Sequence, residues 1–481
     1  MKLTLSGADC RYTVEQIAIT LFPDERHSWD APMPDTAVCR VTTGAHRHTA
    51  SVTITRGGKP SRGIAYTAPD ADSYRDGALI RYILRRAFYR AALPHLPEPP
   101  PWGALSGVRP AKLGRALIVE TGSPARAVRA LEKNDFLRRD KAELTVRCAE
   151  EAVDLLGARL SRDVEVYVGI PFCPTRCAYC SFVSSATASE GALVGPYVDA
   201  LCRELADGAE RVRRLSLRVR SFYMGGGTPT TLSPEQLDRV LTAAEALGLP
   251  DERTVEAGRP DTITPEKLAV LRAHGIERVS VNPQTMNDAV LRTIGRRHTA
   301  EDVLRAMEQV RGAGFSCVNM DLIAGLPGDT AESFRETLLR ILSLAPENIT
   351  VHTFAHKKGA ALFDAPSIPS AALGAMLLDA ERLLSPRYRP YYLYRQKYIG
   401  GSFENIGWTL PGHRCDYNIA MMEEISTVLA FGAGAVTKYV APGRIERLPN
   451  PKYAREYLRD FDAHLARKTA LDALFASDSA E

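Results

Sequence analysis

No window of the 481-residue chain approaches the ~20 consecutive apolar residues that a membrane-spanning helix needs. The most apolar stretch, Ile425 to Val436, is short and is interrupted by Gly432 and Gly434. The first ten residues lack a basic start followed by an apolar core, so no secretory signal is expected. Neither sign of charge dominates: 61 Lys and Arg against 57 Asp and Glu leave a net +4. That balance does not describe a dedicated nucleic-acid binder. Nine cysteines is an odd number, and six of them (Cys10, Cys39, Cys148, Cys202, Cys317 and Cys415) are scattered, which excludes a disulfide framework. With 45% hydrophobic and 25% charged residues, disorder and collagen-like composition are excluded too. The expectation is a cytoplasmic protein of about two to four domains.

What is present changes character along the chain. Residues 1–100 read as an α+β appendage, with β-rich Val38–Thr43 and Ala50–Thr55 and a helical, basic Ala78–Ala92. Pro94, Pro97, Pro99, Pro100 and Pro101 read as a semi-rigid linker opening a helical segment, 101–160. Within residues 161–365 short β-branched runs alternate with amphipathic helices. The strands expected are Val164–Ile170, Ser221–Met224, Thr254–Ala257, Arg278–Asn282, Cys317–Ile323 and Ile349–Phe354. Six strands alternating with helices predict an α/β fold with a parallel (β/α)6 array, a wound sheet or partial barrel, with ligands at the C-terminal strand ends. Residues 366–481 form a C-terminal α/β extension with an aromatic strand, Tyr391–Tyr398, and a charged last helix.

The strongest signal is Tyr167-Val-Gly-Ile-Pro-Phe-Cys173-Pro-Thr-Arg-Cys177-Ala-Tyr-Cys180. Three thiolates spaced C-x3-C-x2-C just after the first strand can each take one iron of a [4Fe–4S] cube, leaving the fourth iron open. A zinc site is the alternative; it usually wants a second cysteine pair, and none is visible. Gly225-Gly-Gly-Thr228-Pro-Thr230 follows the second strand and allows close backbone approach to an anion, or is simply a tight turn. Glu256, Gln284, Arg296 and Asp321 fall at or beyond the ends of later strands. Singly each reads as a solvated polar group; together they place two carboxylates, an amide and a guanidinium on one rim.

This constellation resembles the radical S-adenosylmethionine (SAM) superfamily. Tyr167–Cys173, Tyr223-Met-Gly-Gly-Gly-Thr-Pro-Thr230 and Asn319-Met-Asp-Leu-Ile-Ala-Gly-Leu-Pro327 resemble its oxygen-independent coproporphyrinogen III oxidase family over about residues 164–440. Gly107-Val-Arg-Pro110, Tyr391–Lys397 and Met421–Ser426 are similar to the HemZ-type branch. The resemblance implies a partial radical SAM barrel, with Cys173, Cys177 and Cys180 as cluster ligands. It implies Tyr167, Tyr179, Gly226, Gly227, Thr228, Glu256, Gln284, Arg296, Asp321 and Ala355 as SAM contacts, with Tyr167 and Arg296 catalytic. Carboxylates suit ribose hydroxyls and a guanidinium suits the SAM carboxylate. The implied reaction is oxidative decarboxylation of coproporphyrinogen III to protoporphyrinogen IX in haem biosynthesis, with electrons from a reductant protein such as a flavodoxin or ferredoxin. Two departures stand out. Phe182 occupies a position that is cysteine in the oxidase branch, and Asn282-Pro-Gln-Thr285 stands where that branch has an aromatic-rich element.

Arg109, Arg395, Lys397 and Arg414 are candidate partners for substrate propionates, whereas Arg211, Arg213, Arg214, Arg218 and Arg220 read as a solvated helix end. His352 and His356 could ligate haem iron or be rim residues, which leaves a haem-carrier reading, or another radical SAM reaction on a tetrapyrrole, beside the dehydrogenase. His46 and His48 read as a surface turn with no metal.

Overall fold

The computed structural model describes residues 1–182, 184–250, 252–357, 359–363, 365, 368–396 and 403–477. Contacts group the chain into two compact units. One is Met1–Glu150 with Ile368–Ala375 and Leu393–Glu404; the other is Glu151–Ser367 with Met376–Tyr392 and Asn405–Glu481.

The first unit carries a four-stranded sheet in the order Lys2–Ser6, Thr36–Thr42, His48–Arg56, Lys59–Thr67. The first pair is parallel and the others antiparallel. Gly57 and Gly58, at φ +51° and +77°, make the two-residue turn between the last strands. Ala50, Val52 and Ile54 pack with Val14, Ile17, Leu84 and Phe88 from helices Arg11–Leu21 and Ser73–Ala92. Lys2–Ser6 and Lys59–Thr67 lack a strong sequence signal; in the latter the alternate residues Pro60, Arg62, Ile64 and Tyr66 are exposed along an edge strand and only Gly63 and Ala65 are buried. His48 lies on no surface turn; it is 5% exposed and its Nε2 lies 2.8 Å from Asp76 Oδ1.

The proline-rich stretch, exposed at Pro94, Pro97 and Pro99, is tied down at its C-terminal end. The Pro101 carbonyl accepts from the Arg138 N–H at 2.9 Å, and Trp102 is buried, donating from Nε1 to Glu404 Oε2 at 2.7 Å. Prolines fix φ and remove donors, so they suit a packed turn as well as a linker.

In the second unit the six expected strands run parallel and in chain order: Asp163–Ile170, Arg218–Gly226, Arg253–Gly258, Arg278–Val281, Cys317–Ala324 and Asn348–Thr353. Ser233, Thr264, Thr299 and Thr330 cap the helices that follow, starting each one promptly after its loop. Among the described residues the sheet does not close. Glu404–Thr409 adds antiparallel beyond the sixth strand, with Arg389–Arg395 outside it, and Thr427–Phe431 runs parallel to the first strand at the other edge, continued by the hairpin Val436–Ala441 and Arg444–Pro449. The apolar stretch at Ile425 is therefore an interior strand. This is the expected α/β array, a largely parallel sheet with N- and C-terminal additions.

The C-terminal segment ends in three short helices, Ala454–Arg459, Phe461–Lys468 and Ala470–Ser477, rather than one. The first two are fastened to helix Val194–Arg214 by buried Glu204, which accepts from Tyr457 Oη at 2.6 Å and Lys468 Nζ at 2.5 Å and contacts His464 Nε2 at 2.7 Å. Burial pushes that carboxyl up, but Lys468, His464 and Tyr457 outweigh it and hold it at about 2. The arginine run is not uniformly solvated either. Arg211 is 5% exposed and paired with Asp207 and Asp472 at 2.8 and 2.9 Å. Among the described residues no helix is long and apolar enough to cross a membrane.

Candidate active site

The cysteine loop leaves the first strand and is held by backbone on several sides. The Ala178 N–H donates to the Ile294 carbonyl at 3.0 Å, Leu362 N–H to Ala178 O at 3.0 Å, and Thr228 N–H to Phe172 O at 2.8 Å. Cys173, Cys177 and Cys180 are free thiols. Thr228 Oγ1 lies 3.5 Å from Cys173 Sγ and Arg259 Nη1 lies 3.9 Å from Cys177 Sγ. Burial pushes the Cys180 thiol up, and the neighbouring Cys177 and Cys173 act in the same direction. Among the described residues no three His, Cys, Asp or Glu side chains converge as a single ion would require. Cube ligands each hold a different iron and need no such convergence.

The glycine loop packs tightly under this one. A Cβ on Gly227 would sit 2.6 Å from the Phe172 carbonyl oxygen, and one on Gly225 would sit 2.8 Å from the Glu256 carboxyl carbon. Gly226, at φ +108°, passes so close that a Cβ would reach 3.3 Å from Tyr167 Oη. These are glycine requirements of backbone approach.

Alternation along the strands puts Tyr167, Tyr223, Glu256 and Asp321 on the inner face. Tyr167 and Tyr223 pair directly in register, and Tyr223 Oη donates to Glu256 Oε1 at 2.6 Å. Burial, with Asp321 adding like charge, pushes the Glu256 carboxyl up to about 7 against the donated Tyr223 hydrogen bond. Asp321 goes the other way. Burial raises it, but His352, Asn319 and Thr350 outweigh burial and leave it below the usual carboxylate range. Asn319 Nδ2 donates to Asp321 Oδ1 at 2.8 Å. Two neighbouring carboxyls are thus driven apart, a pattern typical of functional sites.

Gln284 sits in the left-handed region at φ +69°, strained for a side chain of its size. Its backbone is clamped to the fifth strand, with its N–H on Asp321 O and its carbonyl taking the Ile323 N–H, both at 3.0 Å. Its Oε1 is buried without a partner, as are Asn282 Oδ1, Ser280 Oγ and both Nε and Nη1 of Arg296. The remaining Arg296 nitrogen, Nη2, donates to Tyr179 Oη at 2.7 Å. Ala355 follows the sixth strand and is 7% exposed. Buried groups with unmet hydrogen-bond capacity are rare and want an explanation. An open guanidinium, unmet amide oxygens and two carboxyls beside a glycine cradle suit a ligand carrying carboxylate, ammonium and hydroxyl groups. The residues fit a bound SAM beside the three thiols.

Several residues of this region carried no role in the sequence reading. Tyr223 opens the glycine motif, and its register with Tyr167 places it inside. Arg259 binds the cysteine loop through Thr175 O at 2.9 Å and Asp261 through two 2.9 Å bonds. His298 is 3% exposed with neither ring nitrogen at hydrogen-bonding geometry, and burial pushes it down to about 4.

The cationic candidates for substrate fare differently. Arg395 is buried over the Trp102 ring, centroid distance 4.9 Å, and donates to the Leu105 carbonyl. Arg414 is spent on Glu151, Asp154 and Asp416 at 2.8, 2.6 and 3.0 Å. Both are structural, because long side chains near several carboxylates or carbonyls find partners within the fold. Arg109 is half-buried at the start of helix Pro110–Thr121, and Lys397 lies outside the described residues, as does Tyr398. Tyr391 and Tyr392 are core, packed edge to face at 4.7 Å. His352 Nε2 lies 3.8 Å from Asp321 Oδ2 and His356 Nδ1 lies 2.9 Å from the Phe363 carbonyl oxygen.

Residues 167–341 match the Radical SAM superfamily, which is the class the strand array and cysteine loop define. The chain is 38% identical over 384 residues to the oxygen-independent coproporphyrinogen-III oxidase-like protein HemZ of Bacillus subtilis, covering 76% of each. It is 30% identical over 292 residues to the heme chaperone HemW of Lactococcus lactis, covering 60% of this chain and 73% of that one. The solved coproporphyrinogen III oxidase HemN of Escherichia coli shares the fold with a TM-score of 0.52 at 24% identity, over 66% of this chain and 73% of that one. The chain therefore belongs to the oxygen-independent coproporphyrinogen III oxidase family of radical SAM proteins, whose cofactors are a [4Fe–4S] cluster and SAM.

Proposed function

We propose that the protein carries out oxygen-independent oxidative decarboxylation of coproporphyrinogen III, turning two propionates into the vinyl groups of protoporphyrinogen IX in haem biosynthesis. The observation that carries this reading is the similarity to the HemZ-like protein over three-quarters of both chains, which reaches well beyond the superfamily segment. When bound, the cluster and SAM supply a 5′-deoxyadenosyl radical that removes a hydrogen atom from the propionate β-carbon. Loss of carbon dioxide and one electron to an acceptor then completes each vinyl group. The electron that starts the reaction comes from a reductant protein of the flavodoxin or ferredoxin kind.

Within this reading each residue has a task. Cys173, Cys177 and Cys180 hold the cluster, and Thr228 and Arg259 hold their loop. The open donors of Arg296 take the SAM carboxylate, with Tyr179 fixing the guanidinium by its 2.7 Å bond. Gly226 and Gly227 let backbone approach the methionyl moiety. Glu256 and Asp321 accept from the nucleoside hydroxyls and Gln284 contributes its unpaired Oε1. Tyr167 and Ala355 wall the ligand and exclude water, which radical chemistry and electrostatic positioning both require.

A second reading, haem carriage, is favoured by the 30% identity to HemW. An anaerobic assay with cluster-loaded chain, SAM, reductant and coproporphyrinogen III separates the two. Loss of one and then two carboxyl groups, abolished by Cys177→Ala, supports the dehydrogenase. Stoichiometric haem binding with no 5′-deoxyadenosine would replace it with the carrier. Abundant 5′-deoxyadenosine beside unchanged porphyrin would retain the radical machinery and discard the substrate.

A further inference from the structure

Helix Asp416–Glu423 belongs to the C-terminal extension, yet its first turn is built into the barrel. Glu252, at the foot of the third strand, accepts from the Asp416 N–H at 2.8 Å and the Tyr417 N–H at 2.9 Å. A carboxyl there satisfies N–H groups that a helix start leaves open. Thus anchored, Tyr417 is 4% exposed and lays its ring on Tyr223, with centroids 4.5 Å apart and planes 19° from parallel. Tyr167 completes the group, 6.3 Å from Tyr417 and 6.4 Å from Tyr223. Offset stacks of this kind fix ring position beyond what apolar burial alone does. The hydroxyl of the supported ring, Tyr223, is the donor to Glu256. The third strand is therefore held twice: Glu252 at its foot anchors the helix, and Glu256 above it receives the hydroxyl that the helix steadies.

We propose that Tyr417 is a positioning residue for SAM, holding Tyr223 so that its hydroxyl orients the Glu256 carboxyl toward the nucleoside. The inference rests on the assignment of Glu256 as a nucleoside ligand and goes beyond it by giving the C-terminal helix a part in cofactor binding. Tyr417 acts through its stack on Tyr223.

The groups facing Glu256 are Tyr223 and the Gly225–Gly226 backbone from the second strand, Tyr167 from the first, Asp321 from the fifth and Tyr417 from the helix. Loss of the Tyr417 ring loosens the Tyr223 hydrogen bond to this carboxyl and so disfavours its ionisation. Tyr417→Phe keeps the ring, whereas Tyr417→Leu keeps bulk without the stack.

The test is calorimetric binding of S-adenosylhomocysteine to the full, anaerobically cluster-loaded chain, from below to above pH 7. Wild type and Tyr417→Phe are expected to bind alike, more tightly as Glu256 ionises. Tyr417→Leu is expected to bind about tenfold more weakly, with the pH transition raised by roughly one unit because the Tyr223 bond that favours the ionised carboxyl is weakened. Tyr223→Phe, which retains the stack and removes the hydroxyl, should lose affinity to a similar degree and reads the same coupling where Tyr417→Leu does not fold. A folded, cluster-loaded Tyr417→Leu with wild-type affinity and profile overturns the proposal, as does an unaffected Tyr223→Phe. Glu256→Gln separates the premise: it should flatten the profile. An unaltered profile there removes the nucleoside assignment and the proposal with it.

Discussion

Arg259 Nη1 donates to the Thr175 carbonyl oxygen at 2.9 Å, tying the loop after the third strand to the middle of the cysteine loop. Its other edge forms two 2.9 Å bonds with Asp261. Removing the guanidinium strands a partly exposed Asp261 and frees the cysteine loop. Arg259→Met is expected to cost about 2–3 kcal/mol, below the range for a fully buried pair. Arg259→Lys should restore little, because one ammonium cannot replace a two-edged fork. Iron and sulfide per chain after anaerobic reconstitution, read beside the melting temperature, check this. Full cluster loading of Arg259→Met would mean the loop holds its shape unaided.

Glu256 links pH to stability in the cluster-free protein. Its carboxyl ordinarily titrates near 4.5 and in the folded chain near 7. The folded state therefore keeps a proton that the unfolded chain releases across that window. The stabilisation is complete below about 4.5 and is lost as pH rises through 7, roughly 2 kcal/mol in all once its partial exposure is allowed for. Glu256→Gln should remove this component, so that the difference in unfolding free energy between wild type and variant grows in favour of the variant from pH 5 to pH 8. A constant difference across that range would contradict the position of the carboxyl.

Gly225 and Glu256 nearly share space, since a Cβ at 225 would lie 2.8 Å from the Glu256 carboxyl. Gly225→Ala is thus expected to displace the carboxyl while leaving the thiols alone. Affinity for S-adenosylhomocysteine should fall by about tenfold or more, with iron content unchanged. Equal loss of iron would show that the whole loop had moved. Unchanged affinity would show that Glu256 can yield without consequence.

The six parallel strands were legible because each is a short β-branched run set between amphipathic helices. The cysteine loop was legible because its chemistry resides in local spacing. The strands that extend the array were less so: Glu404–Thr409 and Thr427–Phe431 join it from far along the chain, and no local pattern states which side of the sheet a strand takes. The same limit hid Tyr417, whose stack on Tyr223 joins residues nearly two hundred positions apart. Arginine roles were hardest. Arg395 and Arg414 read as cations awaiting an anionic substrate, yet one lies over an indole and the other among three carboxylates. Side-chain partners across long loops are a tertiary outcome that residue type leaves open.

Glu404 gives the first unit its own test, apart from the active site. It is wholly buried, with Lys141 Nζ on Oε1 and Trp102 Nε1 on Oε2, both at 2.7 Å. Burial pushes its carboxyl up, but Lys141 and the Trp102 bond outweigh burial and leave it below the usual value. The group therefore contributes stability that is present above its unfolded pKa and is lost as pH falls through the folded one. Breaking the pair from one side leaves a buried charge unmatched. Lys141→Met should cost about 3–5 kcal/mol and Trp102→Phe about 1–3 kcal/mol. Removing both charges together, as Lys141→Met with Glu404→Leu, should recover much of the loss because no unpaired ion remains. Urea midpoints for the single and double variants measure the three values. A double variant no more stable than Lys141→Met would show that the cost comes from lost packing rather than from the stranded carboxylate.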